Sequence, residues 1–163
     1  MTIDPSSILL TDRVAVVTGG GAGIGRGVAA GLKAFGAKVA IWERDPQSCA
    51  SAAEELGVLG ITTDVRDSAA VDAALEQTVA ELGPVTVLVN NAGGQFPQAA
   101  IDFTPKGWNA VIDTNLNGPW YMMQAAARKW RASSMNCRSP CCPMPRRWRH
   151  GSRADAGCGR RCQ

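Results

Sequence analysis

The stretch TGGGAGIG, residues 18–25, sets Gly19, Gly23 and Gly25 between a run of β-branched residues and an alanine-rich one. Glycines at that spacing let the chain turn tightly and bring its backbone close to a pyrophosphate. The amino end of a helix starting there adds free N–H groups and a positive dipole end, which suit an anion. Glu43 stands 18 residues after Gly25, at the end of the next apolar run. A carboxylate in that place can accept hydrogen bonds from the 2′-hydroxyl of an adenosine ribose. The plainer alternative is a tight turn that binds nothing and a solvated strand end. A glycine triplet alone is a weak sign; its setting between a strand and a helix strengthens it.

That setting is legible in the pattern. RVAVVT (13–18), KVAIWE (38–43), VLGITT (58–63) and VTVLVN (85–90) are continuous apolar runs, as expected of strands covered on both faces. Between them GIGRGVAAGLKAFG, PQSCASAAEELG and DSAAVDAALEQTVAELG predict helices. Pro46 suits a first turn, Asp67 or Ser68 suits a cap, and both of the latter segments stop at glycine. A longer helix is predicted from about Pro105 to Trp130, capped by Thr104. Alternating strands and helices with right-handed crossovers give an α/β fold built on a doubly wound parallel sheet.

A chain of 163 residues fits one domain and is short for two. Its net charge of +3 hides a split. Residues 1–130 hold 9 basic and 13 acidic side chains, whereas residues 131–163 hold eight arginines and one acid, Asp155. Cys49 lies in the body, and the other five cysteines lie after residue 136. No apolar run approaches the length of a membrane span. MTIDPSSILLTDR carries acids and no basic lead, so it does not read as a secretory signal, and a cytoplasmic protein with reduced thiols is expected.

Four motifs follow one another along residues 13–130. TGGGAGIG has the spacing T-G-x-x-x-G-x-G, TTDV (62–65) ends the third strand, NNAG (90–93) ends the fourth, and DTNLNG (113–118) lies in the long helix. In this order they resemble the short-chain dehydrogenase/reductase family. The resemblance implies a Rossmann-type sheet of strand order 3-2-1-4 and NAD(P)-dependent hydride transfer to or from a small carbonyl, hydroxyl or enoyl substrate. It assigns Gly19, Gly23, Ile24 and Gly25 to the dinucleotide, and Asp64 with the Val65 backbone to the adenine. Asn90 and the Ala92–Gly93 backbone fall beside the cofactor, and Asn115 belongs to the catalytic tetrad. GGQF followed by KGW is similar to the enoyl-CoA reductases and other acyl-CoA-acting members. Hydroxyacyl, steroid and sugar-alcohol dehydrogenation remain as alternatives. Glu43 would repel a 2′-phosphate and favours NAD(H), whereas Arg44 could swing to that phosphate, so NADP(H) stays open. Members of the family are homo-oligomers.

The rest of the tetrad is missing. Family chemistry uses a tyrosine with a lysine four residues on, usually preceded by a serine. The one tyrosine here, Tyr121, is followed four residues on by Ala125, and no lysine follows Lys129. The 33 residues from Arg131 contain no valine, isoleucine, leucine, phenylalanine or tyrosine, so they cannot make the fifth buried strand. Residues 1–130 therefore read as an incomplete Rossmann domain, and 131–163 as an irregular, disordered tail. The tail has three readings. It is an out-of-frame translation of a GC-rich gene, or a zinc-binding segment built on Cys137, Cys141, Cys142, His150, Cys158 and Cys162, or a basic arm for nucleic acid. The zinc reading lacks paired knuckle spacing, and the nucleic-acid reading lacks a folded reader. The chain is expected to be inactive, with VTVLVN as an uncovered, aggregation-prone edge. The competing class is a non-catalytic nucleotide-binding remnant, or an interaction protein using the tail.

Overall fold

The computed structural model describes residues 8–95 and 97–136, with side chains to residue 132. Four strands, β1 (Val14–Thr18), β2 (Lys38–Glu43), β3 (Leu59–Thr62) and β4 (Val87–Val89), form one parallel sheet in the order β3-β2-β1-β4. The connecting helices are α1 (Gly23–Ala34), α2 (Pro46–Leu56) and α3 (Ser68–Leu82). After β4 come a 3-10 turn (Ala100–Asp102), α4 (Pro105–Ile112), a π segment (Asp113–Asn117) and α5 (Gly118–Asn136). This is the predicted sheet. Two compact units are distinguished, Met1–Arg128 and Lys129–Gln163, and the described residues of the second are the last turns of α5.

Successive side chains leave a strand on opposite sides, and in β1 and β2 both sides are buried. Val14, Val16, Ala40 and Trp42 join one core with Val71 and Leu75 of α3 and Met122 of α5. Ala15, Val17, Val39 and Ile41 join the other with Ala29 of α1 and Ala52 of α2. The unbroken apolar runs follow from having a core on each face. Burying a side chain such as Ile41 or Val16 contributes roughly 1.5–3 kcal/mol. Trp42 is accommodated because its indole N–H donates to Thr78 Oγ1 at 3.1 Å, and that hydroxyl donates onward to the Ala74 carbonyl.

Helix ends follow the sequence signals. Asp45 caps α2 by accepting from the Ser48 N–H at 2.8 Å, with Pro46 in the first turn. The same helix ends at Gly57 (φ +59), where the Lys33 ammonium donates to the Leu56 and Gly57 carbonyls. Asp67 caps α3 through the N–H groups of Ala69 and Ala70, and Thr104 caps α4 through Gly107.

Three expectations need correction. The fourth strand is three residues long, not the six of VTVLVN. Thr86 places its hydroxyl against the Val14 N–H and carbonyl, and beyond Val89 the chain turns away to bond Thr18. The long helix is not one α-helix, because Asp113–Asn117 widens into a π turn. It also runs to Asn136, so residues 131–136 are helical rather than irregular. No proline or glycine interrupts that stretch; the first proline beyond it is Pro140. The rest of the predicted tail, its five cysteines and His150, together with Phe96 of the GGQF motif, lie outside the described residues.

Candidate functional site

Three helices close their first-turn N–H groups with a side chain, and α1 does not. Its capping residue is Ala22, extended at φ −152° and ψ 171°, with no side-chain acceptor and no acid in the first turn. The N–H groups at the head of α1 are therefore left for an outside anion. Ile24 stands beside them, 80% exposed. The loop before α1 folds onto itself so closely that only glycine fits at two places. Gly19 is left-handed (φ +65), and a Cβ on Gly25 would lie 2.2 Å from the Gly19 carbonyl oxygen. Gly23 faces open space.

Two residues that sequence reasoning did not single out fix this loop to the end of β4. Thr18 is fully buried, and its Oγ1 accepts the N–H groups of Asn91 and Ala92 at 3.0 Å each. The Asn91 side chain donates to the Thr18 carbonyl at 2.9 Å and to the Gly19 carbonyl at 3.3 Å. The TGGG and NNAG stretches thus form one hydrogen-bonded unit. Asn90, the asparagine singled out from the sequence, is exposed and lies off the cleft wall described below. Adjacent side chains at a strand end face opposite ways, so only one of the two can meet the glycine loop. The doublet was the signal, but its phase was not readable.

Acidic groups sit at the ends of the two neighbouring strands. The Glu43 carboxylate accepts N–H bonds from Gly21 (3.3 Å), Arg44 (2.8 Å) and Asp45 (3.3 Å), which ties the glycine loop to the end of β2. Asp64, just past β3, accepts the Arg66 backbone N–H and grips its guanidinium through both carboxylate oxygens. The Arg66 side-chain hydrogen bonds hold the Asp64 carboxyl below the usual carboxylate range, and the same bonds push the Arg66 guanidinium up. Between the two acids, Thr63 donates its N–H to the Glu43 carbonyl at 2.9 Å.

These groups surround a cleft of about 360 Å³. Gly19, Glu43 and Arg44 form one side, Thr63, Asp64, Val65 and Arg66 a second, and residues 91–95 a third. Ala110 and Val111 of α4 and Thr114 of the π segment complete the wall. The volume lies in the range of small-molecule sites. Of the sequence-derived candidates, Gly19, Glu43, Arg44, Asp64, Val65, Ala92 and Gly93 meet on this wall. Gly23, Ile24, Gly25, Asn90 and Asn115 do not. Asn115 instead clamps the backbone of Gly94, its Oδ1 accepting from the N–H at 2.9 Å and its Nδ2 donating to the carbonyl at 2.8 Å. Tyr121 packs against the core rather than the cleft. Among the described residues, no cluster of three metal-ligating side chains occurs and no helix is long and apolar enough to cross a membrane.

The order of elements, the glycine loop and the cleft at the strand ends agree with a family comparison. A profile described as short chain dehydrogenase matches residues 13–136. The chain belongs to the short-chain dehydrogenase family. Among curated short-chain dehydrogenases, it is 37% identical over 130 residues to the 2-dehydro-3-deoxy-D-gluconate 5-dehydrogenase of Escherichia coli (strain K12), covering 78% of this chain and 51% of the relative. It is 32% identical to the probable 2,4-dienoyl-CoA reductase of Bacillus subtilis (strain 168), over 72% of this chain and 48% of the relative. The solved 3-ketoacyl-(acyl-carrier-protein) reductase from Brucella melitensis, complexed with NADH, superposes with a TM-score of 0.73 at 31% identity. That match covers 78% of this chain and 53% of the other. This short-chain dehydrogenase chain spans about half the length of the curated relatives it matches.

Proposed function

We propose that the cleft binds the adenosine and pyrophosphate part of NAD(H), and that the chain is the cofactor-binding half of an NAD(P)-dependent oxidoreductase. The observation that carries this reading is the meeting of the glycine loop, Glu43, Asp64 and Ala92–Gly93 on one cleft, next to the uncapped head of α1. The residues present fit the group. Gly19 and Gly25 let the loop close tightly on itself, Gly23 faces open space, and the first-turn N–H groups of α1 have no side-chain acceptor, which suits a pyrophosphate. Gly23 and Ile24, at the head of α1, would flank that phosphate. A bound nicotinamide would supply the hydride. Glu43 is preset by three backbone donors and keeps lone-pair capacity for a ribose hydroxyl, which favours NAD(H) over NADP(H). Arg44, exposed beside it, is the group that would admit a 2′-phosphate.

Asn115 steadies the Gly94 backbone, and through it the loop that would flank the nicotinamide side. The proton at the substrate oxygen needs a positioned acid–base group, and these 163 residues hold no Tyr-x-x-x-Lys pair. The substrate class is a small carbonyl, hydroxyl or enoyl compound. A CoA thioester is suggested by the GGQF and KGW residues and by the dienoyl-CoA reductase among the relatives. A cytoplasmic site and homo-oligomeric assembly accompany this reading. The test is NADH oxidation with short enoyl-CoA and 3-oxoacyl substrates. Loss of a general acid–base group typically lowers the rate by about 10²–10⁴, so turnover by this chain is expected to be undetectable. Turnover at the rate of a full-length relative would overturn the assignment of inactivity.

A further inference from the structure

The helical run from Pro105 to Asn136 carries a glycine and a proline side by side, Gly118 and Pro119. Neither suits the interior of an α-helix. Proline has no N–H to give, and its ring presses on the carbonyl four residues back, which here belongs to Asn115. Glycine weakens a helix through its backbone freedom. The turn just before the pair is the one that widens. There the Gly118 N–H donates to the Asp113 carbonyl, five residues back rather than four. Gly118 is itself helical (φ −55°, ψ −58°) directly before a proline, where a Cβ would meet the proline ring. It is also buried against Val65: a Cβ on it would lie 2.9 Å from Val65 Cγ2 and 3.3 Å from the Val65 carbonyl oxygen. Val65 is 8% exposed and branched at Cβ, so it has little freedom to move aside. From the widened turn Asn115 reaches both the N–H and the carbonyl of Gly94.

We propose that Gly118 and Pro119 are positioning residues for the cleft: Pro119 opens the helix into the π turn, Gly118 lets that turn seat on Val65, and together they hold Asn115 on the Gly94 backbone. Gly94, Val65 and Thr114 of the π turn all belong to the cleft wall, so the pair fixes three of its parts relative to one another. The effect on cofactor affinity rests on the reading of the cleft as an NAD(H) site. The effect on Gly94 does not.

Amide hydrogen exchange of the full chain, followed by NMR at Gly94, tests it. Asn115→Ala removes the acceptor of the Gly94 N–H and should speed exchange there about 3- to 10-fold, the worth of one hydrogen bond. Pro119→Ala restores a helical N–H donor, and should speed Gly94 exchange by a similar factor while protection in β1 and β2 stays unchanged. Gly118→Ala should act likewise, and adding Val65→Ala should bring the Gly94 rate back towards that of the unaltered chain. Calorimetric titration should show NAD⁺ binding to Pro119→Ala weakened by no more than the same factor, with no fall in thermal midpoint. Gly94 exchange unmoved by Pro119→Ala, or by Asn115→Ala, would overturn the proposal. So would faster exchange spread across the whole sheet, which marks a general loosening of the fold. Should Gly118→Ala fail to fold, Pro119→Ala decides alone. An unaltered chain that binds no NAD⁺, with the Gly94 changes as expected, would overturn the cofactor reading and support the role of the pair.

Discussion

Asp64 and Arg66 show how a single pair reaches into stability. The pair is partly exposed, so solvent screening keeps its contribution modest. Its sign is nevertheless determined. Hydrogen bonding lowers the Asp64 carboxyl in the folded chain from its ordinary value of 3.8. A carboxyl depressed in the folded state stabilises fully above that ordinary value, and the contribution fades as pH falls through the lower folded value. Urea unfolding from neutral pH down to about pH 3 should therefore show a shallower acid decline for Asp64→Asn than for the unaltered chain. Identical declines would mean that the pair contributes nothing to folding. Which residues line the cleft was only partly legible in the sequence. Glu43 and Asp64 could be picked out because each stands at a strand end, and strand ends are marked by the close of an apolar run. Asn91 could not be chosen over Asn90, because a doublet leaves the facing residue undetermined until the register of β4 is known. Thr18 gave no sign of its three bonds, which depend on β4 lying alongside β1.

At the scale of elements, local chemistry and register explain most of what forms. Asp67 terminates the free N–H groups of α3, and α3 supplies Val71, Leu75 and the Thr78 hydroxyl beneath Trp42. Asp67→Ala should lower unfolding free energy by about 0.5–2 kcal/mol, as loss of an N-cap generally does. Equilibrium denaturation with urea measures it, and an unchanged midpoint would show that the α3 N-terminus draws its stability from packing alone. The caps, the glycine stops and the sheet order were legible because each depends on residues close in sequence or on the handedness of crossovers. The π segment was not. One extra residue in a helical turn alters no composition and little periodicity, yet it separates α4, which lines the cleft, from α5, whose Met122 and Ala125 enter the core. It also carries Asn115 to the Gly94 backbone. The extension of α5 to Asn136 was missed for another reason. The change of composition after Trp130 suggested a boundary, whereas a helix already formed can continue, gaining one backbone hydrogen bond per residue, until a breaker intervenes.

For the whole molecule, the described fold is a four-stranded sheet whose strand ends and first helix gather a cleft, in a chain that spans about half the length of the curated relatives it matches. Trp108, Leu116, Trp120 and Met123 are all about half exposed or more, a concentration of apolar side chains on α4, the π segment and α5. In the cleft, by contrast, polar groups are placed and mostly bonded. Glu43, Arg44, Asp64 and Arg66 come from two strand ends, and the glycine loop from a third. The central claim is that this arrangement holds NAD(H) by its adenosine side with Glu43 on the ribose. The most direct measurement is calorimetric titration of the full chain with NAD⁺ and with NADP⁺, repeated on Glu43→Ala. Saturable NAD⁺ binding, tighter than NADP⁺ and with that preference narrowed in Glu43→Ala, is the predicted result. No saturable binding of either dinucleotide, or equal affinities untouched by the substitution, would contradict it.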